Sequence, residues 1–426
     1  MKHLTTILIG FLVSSAWAAD IQDAPLPALR LPNGEPLTCI YFFGHWWEPW
    51  MSSDDAIRRD LQRLRELGFN TLLLDHQFSQ MLAGNWRLID REHRLAKEAG
   101  FSIVPWLEGH CSHDIAPSGR RDVARKMFGL PEIPLTETQD GKPHQALITS
   151  EGFKQYLTAY ACAYVERHLK DGALLRVVRD GKPRPVISLG CEMDYTAFDT
   201  DTNRRFVAWL QKKYSDVARL NAAWRSQFAR FEDVNPKDQS VFDCSHLEKP
   251  PSPAVADHVS FRAQLCNGVF AEIKERVRQR FPELLFLSEV PYPFESDHPH
   301  ARGYAVSRAC IPDTVRFADI LMLRWTQGRP TPKERAALSK YVAETGAQTI
   351  ICYRTSELLT GAFATDTAKI ANGLGYYSWN EMVDCHAVEN PPDVGIAAHH
   401  IDAATSTNLV RRMKEVNEVW RGIHKQ

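Results

Sequence analysis

Hydrophobic and polar positions fall into two alternating patterns along this chain. Short, nearly continuous apolar runs are followed by longer stretches with apolar residues at helical spacing. The runs Thr38–Phe43, Thr71–Leu74, Ser102–Leu107, Pro185–Leu189, Leu284–Ser288, Ile320–Leu323, Gln348–Tyr353 and Tyr376–Trp379 read as buried strands. Helical spacing predicts helices over about 54–67, 86–99, 151–169, 203–214, 257–280, 331–344 and 406–420. The first is the clearest: Ser53 can cap it, Ile57, Leu61 and Leu64 form one stripe, and Gly68 ends it. Strands alternating with helices predict an α/β protein with a parallel sheet, and eight such units close naturally into a (β/α)8 TIM barrel. A doubly wound open sheet would need a glycine-rich first turn, and Phe43-Gly44-His45-Trp46-Trp47 is not one. The stretches 111–149 and 235–256 follow no period and read as long insertions into one barrel domain spanning 19–426.

Residues 1–18 stand apart. Lys2 and His3 precede an apolar stretch, Leu4–Val13, that is too short to span a bilayer. Ala16-Trp17-Ala18 is a small-residue cleavage pattern, so the segment reads as a signal peptide with the mature chain starting at Ala19. The expected location is therefore secreted or periplasmic, with no membrane segment after cleavage. The formal net charge of −1 leaves no basic footprint for nucleic acid or an anionic membrane. Nine Cys is an odd count, so at least one thiol is free; Cys39, Cys162 and Cys352 lie in apolar runs and read as core thiols.

Nearly every predicted strand ends in a polar or aromatic residue. Glu48, Asp75, Glu108, Glu192, Asp194, Glu289, Glu357 and Glu381 are carboxylates at or just past strand tips, the end where barrels keep their chemistry. Glycoside hydrolysis needs two carboxyl groups flanking one bond, one to protonate the leaving oxygen and one to attack or to activate water. Crowded like charges raise one another's pKa and keep one of them protonated. Trp46, Trp47, Trp50, Trp106, Tyr195, Trp325 and Trp379 lie at the same rim and suit stacking on sugar rings. Glu192 follows an apolar strand with small neighbours and points to the barrel mouth. A second reading is a carbohydrate-binding barrel without catalysis. A third is a metal-dependent hydrolase using His45, His76 and His110, although no HxH or HExxH motif is present.

Residues 185–234 resemble the acid/base region of the family 42 β-galactosidases, retaining glycoside hydrolases. In that family the strand ends in Asn-Glu, and a helix carries Phe…Trp-Leu…Tyr, then Leu-Asn-x-x-Trp and a Phe. Here the residues are Cys191-Glu192-Met193, Phe206, Trp209-Leu210, Tyr214, Leu220-Asn221-Ala222-Ala223-Trp224 and Phe228. Phe43, Trp47 and Trp50, and Tyr377-Ser378-Trp379, look similar to the family's first and eighth units. The resemblance implies Glu192 as the acid/base and a nucleophile after the seventh strand, where Glu357 is the nearby carboxylate; Glu381 and Glu289 stay as alternatives. It implies Trp379 beside the scissile bond. Trp47, Asp75, His76, Glu108, His110, Tyr195, Glu289, Arg324, Trp325 and Glu381 are the further candidates for holding the carbohydrate. No metal or other cofactor is expected. Cys191 stands where the family has Asn, and Glu357 lies four residues past Tyr353 with Arg354 nearer.

Overall fold

A computed structural model describes residues 24–42, 53–74, 86–107, 115–170, 172–190, 195, 197–242, 252–290, 315–325, 331–353, 360–377, 379 and 403–425. The elements begin β1 (Thr38–Tyr41), α1 (Asp54–Glu66), β2 (Thr71–Leu74), α2 (Trp86–Glu98), β3 (Ser102–Pro105), α3 (Ser118–Phe128), β4 (Leu135–Glu137) and β5 (Pro143–Ala146). They continue with α4 (Glu151–His168), β6 (Arg176–Arg179), β7 (Lys182–Ser188), α5 (Thr200–Tyr214), α6 (Val217–Trp224) and α7 (Pro253–Arg278). The chain then runs through β8 (Leu285–Val290), β9 (Ile320–Trp325), α8 (Pro332–Thr345), β10 (Gln348–Tyr353), α9 (Gly361–Ala368), β11 (Gly373–Tyr376) and α10 (Ala403–Ile423).

The sheet order is β3-β2-β1-β11-β10-β9-β8-β7-β6. Every neighbouring pair is parallel except β6 with β7. Isolated parallel bridges, Ile103 to Leu174 and Trp106 to Ser188, join β3 to the β7 side. The Ile103 amide donates to the Ala173 carbonyl at 2.6 Å, and the Leu175 amide donates to Ile103 at 2.7 Å. The eight parallel strands thus form a nearly closed (β/α)8 barrel, as the alternation predicts.

Strand pleating divides the core. Cys39, Tyr41, Leu73, Val104, Val186, Leu287, Met322, Ile350 and Cys352 cluster without any helix residue, which marks the barrel interior. Ile40, Leu72, Ile103, Ile187, Phe286, Leu321 and Ile351 cluster with Leu61, Leu64, Leu95, Leu157 and Phe270 of the surrounding helices. The caps follow the sequence: Ser53 accepts from the Ala56 amide, and Thr331 and Glu334 form a capping box on α8. Cys39, Cys162, Cys266 and Cys352 are buried free thiols.

Several boundaries differ from expectation. The eighth strand lies at Gly373–Tyr376 rather than Tyr376–Trp379. The stretch 111–149 contains α3 and the β4–β5 hairpin. β6 pairs antiparallel with the first half of β7, α6 follows α5, and α7 begins at Pro253. Glu289, and the backbone of Arg324 and Trp325, fall inside strands rather than after them. No helix among the described residues is long and apolar enough to cross a membrane.

A buried histidine pair supports the barrel seam. The His93 and His168 rings stack at 3.8 Å between centroids. The Ala173 amide donates to His93 Nδ1 at 2.9 Å, which leaves the proton on Nε2, 2.7 Å from the Tyr164 hydroxyl. Burial pushes His93 well below the ordinary histidine range, and His168 down to about 4. Both rings are therefore neutral when folded and take protons more readily when unfolded. The stability they contribute is full above about 6.5, falls as pH drops through that value, and levels off once the folded rings titrate. Unfolding titrations are expected to show a loss of about 2–3 kcal/mol from the His168 shift between neutral pH and pH ~4. A His168→Gln variant should flatten that dependence, and an unchanged slope would refute the assignment.

Candidate active site

The C-terminal rim of the barrel is built over a polar and aromatic floor. On β1, alternation sends Cys39 and Tyr41 inward. On β8, Leu285 and Leu287 face inward, so Glu289 does as well, and it is fully buried. The Tyr41 hydroxyl donates to Glu289 Oε2. The Tyr41 ring also meets Trp106 edge-on at 5.8 Å and Tyr377 at 4.9 Å. Burial, helped by the Glu289 charge, pushes the Cys39 thiol up and keeps it protonated. The floor thus presents a carboxylate, a phenol and two aromatic edges from four strands or their tips.

The expected residues divide into three groups. Glu289 is brought into the barrel, fully buried and bonded to Tyr41. Tyr195 is fully buried among the apolar residues between strands and helices, and its carbonyl accepts from Arg262 Nη1 at 2.9 Å. Trp379 is fully buried in that same layer, with the Arg63 guanidinium of α1 5.3 Å from its ring centroid. The chain leaves β11 at Tyr376, so strand alternation no longer aims residue 379 at the axis; Tyr377 faces the interior instead. Trp47, Asp75, His76, Glu108, His110, Glu192, Glu357 and Glu381 lie outside the described residues, as do the side chains of Arg324 and Trp325. The Arg324 and Trp325 backbones end β9 in register with Cys352 and Tyr353.

Sequence reasoning passed over Tyr41, Ser288 and Arg262. Arg262 had a visible signal: it is a charged residue four positions from both His258 and Cys266, on the buried and mostly apolar face of α7. Ser288 donates to the Gly190 carbonyl at 2.8 Å from a fully buried position.

The residues that carry the family resemblance are mostly packing residues. Asp257 of α7 accepts from Lys213 Nζ, from the Tyr214 hydroxyl at 2.6 Å and from Trp224 Nε1 at 2.9 Å. Asn221 holds the next loop, bonding both the amide and the carbonyl of Phe228. Phe206, Leu210, Leu220 and Trp224 form one cluster with Phe231, Phe242 and Phe261. This helical layer sits directly after the strand that leads to Glu192. No cluster of metal-ligating side chains occurs among the described residues.

Residues 135–293 match the glycoside hydrolase 42 family model, described as beta-galactosidase. No curated protein sequence matches the chain. Among solved structures, a cold-adapted β-galactosidase from Rahnella sp. R3 superposes with a TM-score of 0.59 at 12% identity, covering 94% of this chain and 58% of that one. A family 42 β-galactosidase from G. stearothermophilus gives 0.58 at 11% identity, covering 94% and 59%. The catalytic domain of a β-amylase from Paenibacillus polymyxa gives 0.58 at 14% identity, covering 85% of this chain and 97% of that domain. These likenesses show the barrel, and the chain spans under two thirds of the length of the β-galactosidases. The chain thus shares the barrel of these glycosidases, and within that barrel its residues 135–293 match the glycoside hydrolase 42 family model.

Proposed function

We propose that this protein is an exported glycosidase that hydrolyses an oligo- or polysaccharide with retention, with Glu192 as acid/base and Glu357 as nucleophile. The observation that carries the reading is the family match over residues 135–293, which contains Glu192 two residues past Gly190 at the end of β7. In the first step the acid gives its proton to the glycosidic oxygen as the C1–O bond breaks, and the bonding electrons leave with that oxygen. The second carboxylate takes the anomeric carbon as a covalent glycosyl-enzyme, which water then releases. Trp106 and Tyr377, buried but for a few per cent of their surfaces, offer aromatic edges at the floor. A β-galactoside is the first substrate to try, from the description of the matching family and the names of the similar structures.

The test uses the exported protein, with its expected N-terminus at Ala19, on a panel of aryl glycosides led by the 4-nitrophenyl β-galactoside. Release of the aryl group is expected, with proton NMR finding the first-formed sugar in the substrate's own anomeric configuration. An inverted first product replaces retention by a water-activating base, with carboxyl groups about 6.5–9.5 Å apart in place of about 5–5.5 Å. Binding without turnover across the panel favours a carbohydrate-binding barrel, a reading that Cys191 in the family's Asn place also suits.

A further inference from the structure

We propose that Asn33 is a site of spontaneous modification, where the neighbouring Gly34 nitrogen converts the side-chain amide to aspartate and isoaspartate, and that the change loosens the segment sealing the N-terminal end of the barrel. That segment is a strap. Leu29, Leu31 and Leu37 are buried in the interior cluster with Leu285 and Ile320, the first residues of β8 and β9. The Leu29 amide donates to the Asn372 carbonyl just before β11, and the Val178 amide of β6 donates to the Arg30 carbonyl, each at 2.7 Å. Arg30 Nη2 donates to the His424 carbonyl at 2.7 Å. The strap folds back on itself through a bridge between Arg30 and Pro36, and Pro32-Asn33-Gly34 lies at the fold.

The chain has three Asn-Gly pairs, and the structure separates them. A glycine after asparagine leaves the attacking nitrogen unshielded by a side chain. Asn267 lies inside α7, so the Gly268 amide belongs to the helical ladder, and Asn267 Oδ1 accepts from the Arg316 amide at 2.7 Å. Asn372 uses both ends of its amide. Its Oδ1 accepts from the Thr349 amide and its Nδ2 donates to the Pro27 carbonyl, each at 2.8 Å, while Gly373 pairs with Ile350 in the sheet. Asn33 and Gly34 are exposed, and a Cβ on Gly34 would meet nothing within 4 Å. Asn33 Oδ1 accepts from the Glu35 amide at 3.0 Å, while Nδ2, the leaving nitrogen, bonds no described residue. The Gly34 amide has to release its bond to the Leu31 carbonyl, 2.9 Å away across this exposed turn. The deprotonated Gly34 nitrogen then bonds to Asn33 Cγ, the Cγ–Nδ2 bond breaks, and ammonia leaves with a proton from water. Water opens the cyclic imide. Opening at Cγ gives aspartate; opening at the main-chain carbonyl gives isoaspartate, whose backbone is one carbon longer. The longer turn no longer fits the pairing of Arg30 with Pro36 that holds the two arms of the strap together.

The test incubates the purified protein at mildly alkaline pH and follows each Asn-Gly pair by peptide mass spectrometry. A synthetic peptide of residues 28–38 sets the unprotected rate. Asn33 is expected to convert at least about thirtyfold faster than Asn267 or Asn372, because those two first need ~2 kcal/mol or more of local opening. Asn33→Gln, which disfavours the five-membered ring, should remove the signal. An intact Asn33 in the protein when the peptide has converted, or equal conversion at all three pairs, would overturn the site. Hydrogen exchange then reads the strap. In the isoaspartate form the Leu29 and Val178 amides should exchange about tenfold faster than in Asn33→Asp, which carries the charge without the extra carbon. Equal exchange in the two would overturn the loosening while the modification site stands.

Discussion

Glu192→Gln is expected to lower kcat/KM on an unactivated glycoside by about 10³-fold, within the ~10²–10⁴ range of general acid catalysis. The amide keeps the size and polarity of the acid but has no proton to give, so KM should move little. The alkaline limb of the pH profile should vanish with it, because that limb reports the acid giving up its proton. Azide then separates the candidates for the second carboxylate. It should restore turnover in Glu357→Ala by occupying the space that the nucleophile leaves, more than in Glu381→Ala or Glu289→Ala. Glu289 is already bonded to Tyr41 and buried within the barrel, which suits a supporting charge better than an attacking one. Wild-type turnover in Glu192→Gln on the unactivated substrate would end the proposal as written.

Trp379→Ala should destabilise the fold by about 3–5 kcal/mol, the usual cost of emptying the site of a large buried aromatic. The side chain is wholly buried between strand and helix, and Arg63 of α1 lies over its ring. Trp379→Phe should cost less and leave KM near the wild-type value, because a packing residue acts on substrate only through the fold. Denaturant unfolding and KM measured side by side decide this. A large rise in KM with stability unchanged would return Trp379 to the sugar subsite implied by the family resemblance.

The barrel was legible because burial on both faces makes parallel strands continuous apolar runs, and the helices between them carry clean stripes. The eighth strand was misplaced for a physical reason. Gly373 and Gly375 weaken it as a strand in sequence, yet both sites are too tight for a side chain. A Cβ at Gly375 would lie 2.9 Å from Cys39 Sγ, and one at Gly373 would lie 2.9 Å from Ile350 Cγ1. The glycines are required by neighbours distant in sequence, which no local pattern reveals. The same holds for β6, whose strand character comes from pairing with β7.

The site was legible only in part. Carboxylates and aromatics after apolar runs mark a barrel mouth, but which face a residue takes depends on where its strand stops. One strand ending later put Glu289 inside the barrel; one ending earlier turned Trp379 away from the axis. The family motif was specific, and the structure gives its residues a different job from chemistry: Tyr214, Trp224 and Lys213 converge on Asp257. Tyr41 gave no signal, since an aromatic in a buried strand is ordinary until its hydroxyl meets a carboxylate.

Around most of its circumference the barrel is joined by full ladders, but between β3 and β7, among the described residues, two bridges and the short stretch 173–175 complete the wall. Because closure there asks so little of the chain, extra segments can enter beside it without breaking the cylinder. The β4–β5 hairpin and the β6 return both enter the chain between β3 and β7. New loops can therefore be gained or lost at this join while the opposite wall stays unaltered.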